Sequence, residues 1–450
     1  MPVHTHHTAS AVAPQPPALV NDAWTTDIVP RLPADLTTQA HTLKAFRRPR
    51  DIRGASDLLR GLLAYVLEAT SFRLLGCWAV LLGIADISDT AWRTHLRNAS
   101  PWLLWLLGEL LAAEVACAPD LVQRQRRICL VDATRLRQIG GSGDDWRVHL
   151  CFDLLAGRLG QVIVTDRHTA ERMGHFDVRA GDIHVGDGGY GYRNNLVYVR
   201  TKQGDVVLRI HPNTFPLEDA AGRPFDTFAW LLRQHGTLAE WHGFCQYHGQ
   251  RHAVRLVVSK IPPQQVAKAQ QRKKDAAKKR GRKLTAKTLV LAGWWLLITT
   301  LDAHVWPATE IVRLYQARWQ IELVFKRIKQ LLRVAVLRGK RPATVEPTIR
   351  AILVAWALEE QVAAEVRALL PSGTRSPTCP PSSWMLAGLG VQTVRQQVRG
   401  TWTIARIRAC LPRLVRFLVG SPRKRRQQEA ELRQWLEDRF RTVPPLQAGA

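Results

Sequence analysis

Apolar residues recur at helical spacing from about Leu43 to Ala118. The run DLLRGLLAYVLEATSFRLLGCWAVLLGI predicts one long apolar helix or two. Ser88 or Asp89 then caps a helix carrying Trp92, Arg93, His95, Leu96 and Arg97, and Pro101 begins another. Near residue 126 the apolar period shortens. RRICLVDATRL reads as a strand ending on Asp132, and WRVHLCFDLLAGRLGQVIVTD as a hairpin of strands 146–153 and 159–165 turning at Ala156-Gly157. HTAERMGHFD predicts a short helix, and GDIHVGDGGYGYRNNL a strand ending on Asp187. Between 200 and 300 three further stretches alternate like strands, and WWLLITTL makes one more. Segment 311–333, IVRLYQARWQIELVFKRIKQLLR, and the stretches after 345 are amphipathic helices.

Three antiparallel strands followed by a helix and another strand is the order of a ribonuclease-H-like core. The fold class is therefore α/β: a ribonuclease-H-like mixed sheet core with a strand-rich insertion, plus helical N- and C-terminal regions. The expected layout is a disordered tail over 1–40, rich in Pro, Ala and Thr, and a helical DNA-binding domain over 41–122. The first part of the core spans 123–200, and a strand-rich insertion with a basic linker spans 201–290. The rest of the core, with the Glu322 helix, spans 291–345, and a helical C-terminal region spans 346–450.

Composition narrows the partners. There are 64 Lys+Arg against 37 Asp+Glu in 450 residues, a net charge of +27. Such a field favours a polyanion such as a nucleic-acid backbone. The stretch 264–287 carries ten Lys/Arg and one acid, which predicts a segment mobile until it meets a polyanion. Anionic membranes are the bland alternative, but the longest nearly apolar run, Leu289–Leu301, is too short to span a bilayer. No secretory signal starts the chain. The seven cysteines lie scattered without a CxxC pair, which predicts reduced thiols in a cytoplasmic protein, with neither a disulfide frame nor a zinc site.

The chemistry concentrates on segment 311–333. Taken as one helix, it places Tyr315, Arg318, Glu322, Lys326 and Lys329 within an arc of about 80°, beside an apolar seam. Alone, this is a solvated face with an Arg318–Glu322 pair. Asp132 and Asp187 change that, since each ends an apolar strand at a sheet rim. Three carboxylates, Asp132, Asp187 and Glu322, can flank two Mg²⁺ ions, which prefer hard oxygen ligands. The neighbouring cations and the Tyr315 hydroxyl would hold phosphates.

Tyr315-x2-Arg318-x3-Glu322-x6-Lys329, with Asp132 in LVDATRL and Asp187 in VGDGGYGY, resembles the DDE transposases of the insertion-sequence-four family and their Y-R-E-K signature. The likeness covers roughly 43–345. Gly188-Gly189-Tyr190 departs modestly from the usual Arg-Gly-Tyr after the second aspartate. The resemblance implies a metal-dependent enzyme using two Mg²⁺ ions, with Mn²⁺ as a substitute. It implies cut-and-paste DNA transposition through a hairpin intermediate, on the terminal repeats of an element and on target DNA. It also implies a homodimer, for which the C-terminal helices are the candidate contact, and a bacterial, nucleoid-associated location. Trp295 in WWLLITT matches a tryptophan that stacks on a flipped base; Trp294 is its neighbouring alternative, and a core role competes for both. Other readings are a catalytically inactive or repurposed DNA-binding protein, a nuclease of this core without strand transfer, and a membrane-surface protein.

Overall fold

A computed structural model describes residues 22–47, 52–116, 127–141, 145–279, 281, 283–332, 336–337, 339–371, 381–419, 431–432, 434–436 and 438–439. The chain divides into two compact units: Met1–Leu110 with Gly339–Ser421, and Leu111–Arg338 with Pro422–Ala450. The first opens with a π-turn at Trp24–Ile28 and a 3₁₀ turn at Val29–Arg31. Helices α1 (Leu36–Thr42), α2 (Ala55–Leu67), α3 (Phe72–Leu81), α4 (Asp89–Asn98) and α5 (Ser100–Ala116) follow. The long apolar run is thus two helices, broken after Leu67, where Ser71 caps α3 through the Leu74 N–H. Ser88 is the cap of α4, accepting from the Ala91 N–H at 3.1 Å.

The second unit is built on one mixed sheet. Its strands are β1 (Ile128–Gln138), β2 (Trp146–Asp153), β3 (Arg158–Asp166), β4 (Ile183–Gly186), β5 (Asp205–Arg209), β6 (Leu217–Glu218), β7 (Pro224–Phe225), β8 (Leu238–Tyr247), β9 (Gln250–Lys260), β10 (Trp294–Thr299) and β11 (Val336–Leu337). Their order is β3-β2-β1-β4-β5-β10-β9-β8-β6-β7, with β11 pairing the far end of β1. β1, β4 and β5 run parallel to one another and β2 and β3 antiparallel, which is the ribonuclease-H-like arrangement. Helices α6 (Arg193–Thr201), α7 (Thr227–Leu232), α8 (Pro263–Lys279), α9 (Ala286–Leu291), α10 (Ala308–Ala317) and α11 (Trp319–Leu331) complete the unit.

Three expectations change here. HTAERMGHFD forms only a 3₁₀ turn at Met173–His175. The strand-rich insertion is no separate block, because β8 and β9 join the core sheet through β10. Residues 280 and 282 of the basic stretch expected to be mobile lie outside the described residues. Over 264–279 the stretch is helical in α8, with Pro263 at its start and a body rich in Ala, Gln, Lys and Arg, strong helix formers. None of its residues is buried, so propensity rather than packing carries it.

The chain returns to the first unit with α12 (Pro342–Leu369), α13 (Ser383–Val398) and α14 (Ile404–Leu418). The terminal helical regions, expected as two domains, therefore share one core: Leu58, Leu59, Leu62 and Trp92 are fully buried there, as are Val354 and Leu358. The expected tail is also corrected over residues 22–40, while 1–21 lie outside the described residues. Trp24 and Ile28 are buried, and Asp22 takes a two-pronged ion pair from Arg60 at 2.6 and 2.9 Å. The Arg60 Nε donates to the Val398 carbonyl at 2.8 Å, so one buried guanidinium joins the first residues, α2 and the end of α13. Composition alone does not show such a long-range partner. Arg60→Ala would strand Asp22 and should destabilise the fold by roughly 3–5 kcal/mol, as for other broken buried pairs. Equilibrium denaturation of the full chain checks this, and a change below about 1 kcal/mol would remove the pair from any structural role.

Candidate active site

The site starts from a register. β1 and β4 pair in parallel with Val131 opposite Gly186, so Asp132 and Asp187 come next on the two chains, side by side. Asp187 follows the end of β4, but Asp132 does not end its strand as expected, because β1 runs on to Gln138 and Asp132 pairs with Leu150 of β2. Neighbouring strands lie about 4.8 Å apart, which sets the backbone spacing of the two acids. Each carboxylate is oriented locally. Asp132 Oδ1 accepts from the Ala133 N–H and Asp187 Oδ1 from the Gly189 N–H, both at 2.8 Å.

Segment 311–333 is not one helix. α10 ends at Ala317 and α11 starts at Trp319, with Arg318 at the junction, where its N–H bonds back to the Tyr315 carbonyl, three residues away. The expected continuous stripe is therefore broken at its arginine. Arg318 sits between the acids instead: Nη1 donates to Asp132 Oδ2 at 2.9 Å and Nη2 to Glu322 Oε1 at 2.7 Å. Its guanidinium also lies 5.8 Å from the centre of the Tyr315 ring, which meets Trp295 edge-on at 5.4 Å. Six expected residues thus come together: Asp132, Asp187, Glu322, Arg318, Tyr315 and Trp295. Lys326 is exposed and Lys329 half-buried, both farther along α11 and outside the group that Arg318 bridges. Trp294, the alternative to Trp295, is buried on the other face of β10 with the Lys260 ammonium over its ring.

Crowded acids leave an electrostatic mark. Burial, then the charge of Asp187, pushes the Asp132 carboxyl up to about 7, with Arg318 opposing. Glu171 is raised too, by burial first and then by Asp187. The sequence reading missed Glu171, which follows β3 in a loop where no spacing singles it out. It belongs to this cluster: a Cβ on Gly189 would lie 1.8 Å from Glu171 Oε2 and 3.1 Å from Asp187 Oδ1. Tyr190, fully buried beside these acids, was also missed; burial and then the charge of Glu171 drive its phenol up. The donor set is carboxylate oxygen throughout, held together by a guanidinium, and such sets suit hard divalent cations.

Residues 123–358 match the transposase DDE domain family. The chain belongs to the DDE transposases. It is 32% identical over 338 residues to the transposase for insertion sequence element IS421 of Escherichia coli, covering 73% of this chain and 91% of that one. It is equally identical over 337 residues to InsL of insertion sequence element IS186A from Escherichia coli (strain K12), covering 73% and 90%. The resemblance to the insertion-sequence-four family is consistent with both. The protein is thus an insertion-sequence transposase, an enzyme that cleaves DNA and transfers strands, in a family that generally works with divalent metal ions. Among the described residues no helix is long and apolar enough to cross a membrane.

In this transposase Gly189 is the residue whose size controls the fourth acid. Gly189→Ala should displace Glu171 and lower DNA cleavage about 10–100-fold, the usual cost of disturbing an outer-shell partner, with the melting temperature little changed. Wild-type cleavage by this variant would show that Glu171 plays no part.

Proposed function

We propose that this transposase cuts and joins insertion-sequence DNA by metal-dependent phosphodiester chemistry, with Asp132, Asp187 and Glu322 as both catalytic and metal-holding residues. The observation that carries this reading is the bridge from Arg318 to Asp132 and Glu322, with Asp187 on the adjoining strand. Two Mg²⁺ ions, or Mn²⁺ in their place, would supply activation of the attacking oxygen and stabilisation of the leaving one. The chain's own residues do the positioning. Arg318, a planar cation already shared by two acids, can turn its free edge to a phosphate. Tyr315 supports that guanidinium from its ring face and can offer its hydroxyl to the same strand. Lys326 and Lys329, one and two turns beyond Glu322, would neutralise neighbouring phosphates.

Trp295 is the base-stacking residue in this reading, which its edge contact with Tyr315, 5.4 Å between ring centres, supports. That supports the hairpin route, in which a freed 3′-hydroxyl attacks the opposite strand before the ends join target DNA. Terminal repeats are assigned to the first unit, where Arg93 and Arg97 are exposed on α4 while Trp92 and Leu96 anchor it. Two copies acting together in the cytoplasm on nucleoid DNA complete the proposal.

Asp132→Asn, Asp187→Asn and Glu322→Gln should each abolish cleavage, by at least about 10³-fold, while leaving binding to a terminal-repeat duplex within about twofold; gel-shift and cleavage assays on one substrate test this. Full Mg²⁺-dependent cleavage by Glu322→Gln would sink the assignment. A pre-cut 3′-end offered with target DNA should yield a joined product, and a hydrolysed product alone would leave a nuclease.

The pH dependence follows from Asp132. Below about 7 this carboxyl holds a proton that a divalent ion must displace, so Mg²⁺ affinity should rise between about pH 6 and about pH 8. With the pKa raised in the fold from 3.8 to about 7, this carboxyl's contribution to the ion-free protein's stability is full below about pH 3.8 and is lost progressively as pH rises to about 7. Titration calorimetry in buffers of different ionisation heat should report proton release near pH 7 that disappears in Asp132→Asn. Release unchanged in the variant would assign the proton elsewhere.

A further inference from the structure

On the same two strands, three residues before each aspartate, lies a second group of metal-binding side chains. Cys129 on β1 stands directly opposite His184 on β4, and Cys151 on β2 is diagonal to Cys129, with Val131 its direct partner. The two sulfurs and an imidazole nitrogen all lie within 4.8 Å of one another. All three residues are buried, at 1% exposure or less for Cys129 and His184. Neither ring nitrogen of His184 has a hydrogen-bond partner among the described residues. An imidazole with both nitrogens buried and unmatched has given up its hydrogen bonds to water without replacing them. It calls for an explanation.

A disulfide does not provide one. Diagonal positions across antiparallel strands lie about 7–8 Å apart, beyond the usual reach of about 4.4–6.8 Å between bridged Cα atoms, and both cysteines are free thiols. A packed pair of thiols beside a neutral histidine is the bland account, but it leaves both nitrogens unmatched.

We propose that Cys129, Cys151 and His184 form a binding site for one thiophilic d¹⁰ cation, Zn²⁺ or Cu⁺, distinct in ligand chemistry from the carboxylate site. Soft thiolate and imidazole donors select these ions over Mg²⁺. Zinc binds sulfur at about 2.3 Å and nitrogen at about 2.0–2.1 Å, and the three donors already lie within 4.8 Å of one another, close to the span that one ion requires. Burial holds His184 down at about 4, so its ring is neutral and offers a lone pair. Coordination replaces the S–H protons of both cysteines, which leave to solvent, and no electron is exchanged. The surrounding face is apolar, with Met173, Phe176 and Val178 in the same core cluster. The charged pair Arg127–Asp182 lies at the start of β1 and β4. Two of the ligands stand on β1 and β4, so the ion would clamp the strands that present Asp132 and Asp187. This proposal does not depend on the catalytic roles assigned above.

The test uses the full chain, reduced and stripped of metal, titrated with Co²⁺ as a spectroscopic probe and then with Zn²⁺. A separate Cu⁺ arm uses competition against a colorimetric chelator. The expected result is a thiolate-to-cobalt charge-transfer band saturating at one equivalent and displaced by Zn²⁺, or one equivalent of Cu⁺ held against the chelator. Either ion retained supports the site and identifies the occupant. Cys410→Ser, altering an exposed thiol, should leave the signal intact, while Cys129→Ala with Cys151→Ala should remove it. Should that double variant fail to fold, His184→Asn keeps both thiols and should weaken binding more than about 100-fold, beyond the range of an outer-shell change. The proposal is overturned if the wild type shows neither the cobalt band nor Cu⁺ retention, if the signal persists undiminished in the double variant, or if His184→Asn binds as tightly as the wild type.

Discussion

The parallel pairing of β1 with β4 is the constraint on which this molecule turns. Its register, Val131 opposite Gly186, puts Asp132, within β1, beside Asp187, just past the end of β4, and Cys129 beside His184 three residues earlier. Side chains alternate along a strand, so a slip of one residue would send one member of each pair to the opposite face. β1, β2 and β4 are interior strands of the sheet, with Leu130, Leu150 and Val185 fully buried on one face and Val131 and His184 on the other. Such burial on both faces fixes register strongly. Gly186 contributes too: a Cβ there would meet the Tyr190 Cβ at 2.9 Å and Leu208 Cδ2 at 3.1 Å, so the turn that aims Asp187 depends on a residue without a side chain.

Charge is the second constraint, and it acts against the composition. A chain with a net charge of +27 gathers Asp132, Asp187, Glu171 and Glu322 into one small region. These acids repel, as the raised Asp132 and Glu171 show, and Arg318 and Arg147 are the cations that offset them. Arg318 is shared between two carboxylates, so each holds only one edge of its guanidinium. A phosphate arriving with hard cations would compete for it on favourable terms, because those cations relieve the same repulsion. In the proposed function the basic composition would draw in the polyanion, while the acid cluster would favour its arrival with counter-cations.

Much of this was legible in the sequence, for identifiable reasons. Strands β1 to β4 followed from changes of period, whereas β5, read as part of the insertion, pairs with β4 in the core. Glu322 followed from helical spacing. Asp187 was read correctly as following a strand end, while Asp132 drew attention through a strand end that β1, running to Gln138, does not have. The break at Arg318 was not legible. Both flanking helices are amphipathic, and the junction residue has helical torsions, so the wheel stays nearly continuous across it. Glu171 and Gly189 escaped because their proximity arises from a loop folding over the sheet rim. Cys129, Cys151 and His184 escaped for a related reason: local spacing such as CxxC detects ligands on one turn, whereas these meet across three strands. Residues 22–31 read as a tail since their stabilising partners, Arg60 and the backbone at Val398, are distant in sequence.

The strand-rich insertion takes on a mechanical meaning in this light. Its strands β8 and β9 continue the core sheet, with β10 held between β5 and β9. Arg255 on β9 is buried and bonded to Glu240 on β8 at 2.9 and 3.0 Å. Its remaining donor reaches the carbonyls of Leu301 at 2.6 Å and Trp306 at 3.1 Å. Those two carbonyls belong to the loop between β10 and α10. One guanidinium therefore ties the insertion's hairpin to the segment that launches the Tyr315 helix. Trp295 on β10 and Tyr315 on α10 meet because both ends of that loop are fixed. Without β8 and β9, β10 would be a sheet edge and Arg255 would be lost. The loop would then have little to set the angle at which α10 delivers Arg318 to Asp132. The insertion is better understood as the brace that positions the Glu322 helix than as an appended module.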